Sequence, residues 1–192
     1  VQSGEVITDS YRELFRVGMI AADHPIQSAV FNPFAEPGDE DYGLLYIGHG
    51  DGSIQSAIAG DGQNADGLGK IIRIDPLAQV DSAYGIPADN PFVGQAEFPD
   101  EIYAVGFRNP HNLTFAKDAT GKVHLMVTDI GRDNVEEINI VTSGGNYGWA
   151  EREGVFVHLK DQAFINGNIA PLPADEANNG FVYPVSIMGH DG

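Results

Sequence analysis

The 192-residue sequence contains no cysteine. That excludes disulfides, thiolate metal sites and cysteine nucleophiles. Cations are scarce: ten Lys and Arg stand against 28 Asp and Glu, a formal net charge of −18. A surface this poor in cations cannot neutralise many phosphates, which argues against nucleic acid. An anionic membrane surface would repel it as well. No apolar run approaches the ~18 residues of a membrane-spanning helix, so no membrane insertion is expected. No basic n-region followed by an apolar h-region opens the sequence at Val1, so a signal peptide is either absent or already removed. There is no Walker A loop, no Gly-x-Ser-x-Gly elbow and no His pair spaced for a helical zinc site. Leucine is also sparse, nine residues against 32 Ile and Val.

What is present points to strands. β-branched residues favour pleated, half-buried surfaces. Glycine, at 24 residues, is well above the average of roughly 7% and supplies turns between them. Short apolar runs bounded by turn residues predict strands over 26–31, 44–47, 70–74, 102–107, 112–115, 123–128, 137–141 and 155–157. The one helix candidate, 9–17, opens on a capping-box pattern at Ser10; a strand is its alternative. Two stretches share the order Phe, turn, strand, polar loop, strand, starting at Phe31 and at Phe115. Such a unit resembles a β-propeller blade of about 40–45 residues. The expected fold is therefore all-β, and the polar loops between the units are long enough to carry function.

Four places could carry chemistry. Asp23-His24 precedes a strand, and a carboxylate beside an imidazole suits a general base, with a surface pair as the alternative. Arg108-Asn109-Pro110 ends an apolar strand and offers a planar fork of donors. The alternative there is pairing with one of the many acids. The stretch Asp129-Ile-Gly131-Arg132-Asp133-Asn134 and then Glu136-Glu137 gathers hard oxygen ligands of the kind calcium takes. The loop 60–66 is a second such stretch, and for both the alternative is a solvated turn. The Gly-Gly-Asn-Tyr-Gly-Trp stretch at 144–149 reads as a structural corner.

Taken in order, four strings resemble the soluble quinoprotein glucose dehydrogenase family, also called the glucose/sorbosone dehydrogenases. They are Gly69-Lys-Ile-Ile-Arg-Ile-Asp75, Ile86-Pro-Ala-Asp-Asn-Pro-Phe92, Glu101-Ile-Tyr-Ala-Val-Gly-Phe-Arg-Asn-Pro110 and Glu137-Ile-Asn-Ile-Val-Thr-Ser-Gly-Gly-Asn-Tyr-Gly-Trp149. The resemblance implies a six-bladed β-propeller using pyrroloquinoline quinone (PQQ) and Ca²⁺ to oxidise an aldose sugar. It implies His24 as the catalytic base held by Asp23, Arg108 as both a catalytic and a cofactor-binding residue, and Asn109 and, in the family's Gly-Asp loop, Asp51 on the cofactor. Calcium would sit on the main-chain carbonyls of Gly131 and Arg132, where the family usually has Gly then Pro. A further calcium would use Glu137 and Tyr147. Six blades need at least ~240–270 residues, so residues 1–192 are expected to form a single partial propeller domain of about three blades, an internal piece of a longer protein. The implied partners are a sugar, an unidentified electron acceptor and, in some assemblies, a second copy in a homodimer. The implied location is periplasmic or secreted. A propeller that has lost the quinone site and serves as an extracellular interaction or carbohydrate-binding module is the alternative function. A lactonase-type calcium propeller is a third.

Overall fold

The computed structural model describes residues 11–19, 23–53, 67–78, 82–159 and 168–190. They form three antiparallel sheets. The first is a meander of β1 (Ile26–Phe31), β2 (Leu45–His49), β3 (Lys70–Ile74) and β4 (Ile102–Val105), in that order. The second runs β5 (Pro110–Lys117), β6 (Val123–Asp129), β7 (Val135–Val141) and then β11 (Ser186–Gly189). The third is small and consists of β8 (Arg152–Glu153), β9 (Phe156–His158) and β10 (Ile169–Pro171).

Burial follows the sequence pattern. β3 reads Lys-Ile-Ile-Arg-Ile and every residue is buried, as befits a strand covered on both faces. β7 alternates buried with less buried positions along its length, the period-two signature of a strand with one covered face. Sheets one and two share a core of Tyr46, Ile71, Ala104, Phe107, Leu113, Val127, Val141 and Tyr147 among others. Phe107 and Tyr147 stack there with ring centroids 4.5 Å apart.

The predicted strands are found, and each large sheet has a fourth strand. In the first sheet it is β4, already expected as a strand. In the second it is β11, which pairs Met188 with Glu136 and Ile187 with Glu137. This strand completes the edge of the second sheet. Residues 11–17 are neither helix nor strand, and the rest of that candidate lies outside the described residues. The corner at 144–149 ties the sheets together: Asn146 bridges Val105 on one side and Phe181 on the other. Gly106 has φ +83°, and a Cβ there would lie 2.3 Å from Asn146 Oδ1, so this close approach needs glycine.

Candidate active site

His24 sits just before β1 with φ +49°, and Ser53, after β2, has φ +58°. Left-handed backbone at non-glycine residues costs on the order of 1 kcal/mol and clusters at functional sites. The conformation turns the buried His24 ring toward Asp51, whose Oδ1 lies 2.6 Å from Nδ1. Asp51 is fully buried, its Oδ1 also accepting from the Ser53 N–H at 2.8 Å and its Oδ2 from the Trp149 indole N–H at 2.9 Å. Asp23 does less than the sequence suggested. It accepts from the His24 backbone N–H at 3.0 Å and the Ser53 hydroxyl at 2.8 Å, and stands 3.8 Å from Nε2. Ser53 and then that N–H hold its carboxyl below the usual range. The ring is therefore oriented by Asp51 and not by Asp23, because the residue next in the chain cannot reach around to Nδ1. Nor is Asp51 open to a cofactor, since it is sealed among His24, Ser53 and Trp149. Gly50 makes the approach feasible: a Cβ there would lie 2.5 Å from that of His24.

With Nδ1 facing a carboxylate, the proton is assigned to Nδ1 and the lone pair to Nε2. His24 is thus arranged to take a proton at Nε2.

Arg108 and Asn109 lie in the short link from β4 to β5. Both backbone N–H groups donate to Asp129, at 2.9 and 2.6 Å. Arg108 Nη1 donates to the carbonyls of Ile130 and Gly131 at 2.9 and 2.8 Å. Its guanidinium carbon lies 5.7 Å from the Trp149 ring centroid, within cation–π range. The Arg108 backbone carbonyl accepts from the Asp51 N–H at 2.7 Å, joining this link to the His24 loop. Arg108 Nε and Asn109 Oδ1 are buried with no hydrogen-bond partner among the described residues.

The loop after β6 is built around Glu153. That buried carboxylate accepts from the N–H groups of Arg132, Asp133, Asn134 and, more distantly, Val135, at 2.8 to 3.4 Å. Asn134 Nδ2 completes the set at 3.0 Å. Burial pushes Glu153 up, but these donors outweigh it and leave it below its ordinary value. Gly131 is required here, since a Cβ would fall 1.8 Å from the Val135 carbonyl oxygen.

Most of the groups expected to hold calcium have other partners in this structure. Gly131 offers its carbonyl to the Arg108 cation, which repels a second cation at the same oxygen. The Arg132 guanidinium is paired with the Asp133 carboxylate at 3.0 Å, a side-chain contact that leaves its carbonyl unaffected. Glu137 accepts from Gly154 N–H and from Asn139 Nδ2, at 2.6 and 3.0 Å. Tyr147 donates its hydroxyl to the Ile140 carbonyl and accepts from the Thr142 N–H, at 2.7 and 2.9 Å. Among the described residues the two share no partner, and Tyr147 serves as a corner brace. Asp129 and Glu137 face each other across β6 and β7 and line a cavity of about 370 Å³ with His111 and Glu136. Burial, reinforced by Glu137, pushes Asp129 well above the usual carboxylate range, and burial also raises Glu137. Among the described residues no group of three His, Asp or Glu could hold a metal ion. The 60–66 loop lies outside the described residues.

The profile of the glucose/sorbosone dehydrogenases matches residues 36–161, more than half of the chain. The chain belongs to the glucose/sorbosone dehydrogenase family. It is 36% identical over 154 residues to the HIPL1 protein of Arabidopsis thaliana, covering 74% of this chain and 21% of that protein. It is 38% identical over 88 residues to quinoprotein glucose dehydrogenase B of Acinetobacter calcoaceticus, covering 45% of this chain and 16% of that one. The PQQ-bound aldose sugar dehydrogenase of Streptomyces coelicolor superposes with a TM-score of 0.57 at 23% identity, over 91% of this chain and 38% of that chain. The chain therefore spans well under two thirds of each protein's length, and its three sheets form part of a β-propeller. No helix among the described residues is long and apolar enough to cross a membrane.

Sequence reasoning overlooked three members of this candidate site. Trp149 reaches Asp51 across 98 residues, the Ser53 hydroxyl reaches Asp23 across 30, and Glu153 collects donors 18 to 21 residues away, so little local spacing marks them. Trp149 had one signal available: it is the only tryptophan in the chain and follows a glycine-rich corner.

Proposed function

We propose that this chain is the His24-bearing part of a PQQ-dependent aldose dehydrogenase. The anomeric carbon of the sugar loses a hydride and its hydroxyl loses a proton, so that a lactone forms. His24 Nε2 receives the proton. PQQ, when bound, supplies the two-electron acceptor. Family membership supports the reaction class, and the observation that carries the reading is the 2.6 Å contact from His24 Nδ1 to buried Asp51, which leaves Nε2 as the base.

The residues present fit one side of the cofactor. PQQ both accepts and donates hydrogen bonds, and Arg108 Nε offers an unpartnered donor while Asn109 Oδ1 offers an unpartnered acceptor. The arginine would also favour negative charge developing on a carbonyl oxygen. Two other buried arginines are committed elsewhere, Arg73 to Asp89 and Asp41 and Arg152 to Glu176. Calcium at the Gly131 carbonyl would have to displace the Arg108 guanidinium, and no step here runs through it. A periplasmic or secreted location, an external electron acceptor and any homodimer belong to the same proposal.

The test uses the full-length protein. PQQ is titrated by absorbance, and glucose oxidation is followed with a redox dye. We expect saturable PQQ binding and turnover. His24→Ala should lower kcat by about 10²–10⁴-fold while PQQ affinity changes less than about threefold. Failure of the full-length protein to bind PQQ would overturn the enzyme reading in favour of an interaction module.

A further inference from the structure

The geometry points to Trp149 as a positioning residue for the base: its indole N–H locks Asp51 so that the carboxylate presents Oδ1 to His24. This inference rests on the reading of His24 as the base. A carboxylate held by one contact can rotate about its last bond, and rotation would exchange or misalign the oxygen that faces Nδ1. Here each oxygen has its own donor. Oδ1 takes the Ser53 N–H and the imidazole, and Oδ2 takes the indole at 2.9 Å. The donor for Oδ2 comes from 98 residues away, so it is tertiary structure and not the local turn that fixes the carboxylate plane.

The indole is itself held. His158 stacks on it with centroids 4.8 Å apart and planes at 27°, and His158 Nδ1 lies 3.0 Å from the Ala150 carbonyl. Arg108 lies against the same ring. Trp149 N–H donates to the Gly106 carbonyl at 3.0 Å, anchoring the residue to the β4–β5 link. One rigid side chain therefore touches both the arginine proposed for the cofactor and the carboxylate that orients the base. Among the described residues the charged groups around His24 are Asp51, Asp23 and, beyond Asp23, Arg108, and neither Asp23 nor Arg108 donates to Asp51 Oδ2. The apolar bulk of Trp149 could pack equally well as phenylalanine, so a purely structural role predicts that Trp149→Phe is silent.

Two measurements on the full-length protein decide this. In protein labelled with ¹⁵N-tryptophan, the Trp149 indole N–H resonance, assigned by its loss in Trp149→Phe, should move on Asp51→Asn, because a neutral acceptor replaces a charged one. An unmoved resonance would overturn the proposal whether or not the protein turns over sugar. In steady-state kinetics, Trp149→Phe should lower kcat by about tenfold or more through misplacement of the base, with KM within about twofold. A folded Trp149→Phe with wild-type kcat would equally overturn it. If His24→Ala retains wild-type turnover, the base assignment fails, and the indole resonance still reports whether Trp149 fixes Asp51. Should Trp149→Phe fail to fold, the resonance is assigned by its loss in Trp149→Tyr instead, and the Asp51→Asn spectrum decides.

Discussion

At the residue scale, the site is a set of buried carboxylates sorted by their donors. Glu153 is surrounded by N–H groups and held below its ordinary value. A depressed folded value contributes stability above the unfolded carboxyl pKa of about 4.3, lost as pH falls through the folded value. Glu153→Gln should therefore cost about 2–3 kcal/mol at pH 7 by urea denaturation, with the gap to wild type narrowing on acidification. Asp129 and Glu137 behave in the opposite sense. Burial raises both, and their charges oppose each other. Their contribution is fully present below about pH 4 and is lost as pH rises through their raised values. Glu137→Gln should gain stability relative to wild type between pH 4 and pH 8, read from the same denaturation curves. A constant difference across that range would show that the pair does not titrate in the folded protein.

At the scale of the element, glycines set how closely loops approach. Gly131→Ala would drive a methyl into the Val135 carbonyl. The expected loss is about 3 kcal/mol, measurable as a lowered denaturation midpoint. Gly50→Ala would press on both Cβ and the carbonyl oxygen of His24. It should lower kcat by about tenfold or more while leaving the protein folded, detectable by steady-state assay alongside circular dichroism. The strands were more legible in the sequence than the loops. β1 and β3 match their expected bounds end to end because each is a β-branched run flanked by turn residues. β7 begins earlier than expected, at Val135, since Glu136 gave no apolar signal. β8 and β10 were not anticipated: at two and three residues they are too short to show an alternating period.

For the whole molecule, the acidic surface and the exposed apolar strand pull in different directions. Net charge of −18 favours solubility. Against this, β11 is exposed along its length, with Met188 62% and neighbouring Val185 58% accessible. An accessible apolar edge strand is a template for pairing. The 192-residue chain prepared alone should self-associate at micromolar concentration, and Met188→Lys should shift its sedimentation profile toward monomer. An unchanged profile would place the association surface elsewhere.

By itself, the sequence determined the all-β architecture, because alternation and glycine punctuation act within a few residues. It also placed His24 and Arg108 among the residues able to do chemistry, since only a few side-chain types carry a base or a planar cation. Tertiary structure alone decided which of 28 acidic residues faces the imidazole. Asp51 wins over adjacent Asp23 because a buried carboxylate must be satisfied on both oxygens, and the donors that satisfy this one arrive from His24, Ser53 and Trp149 only once the sheets have packed.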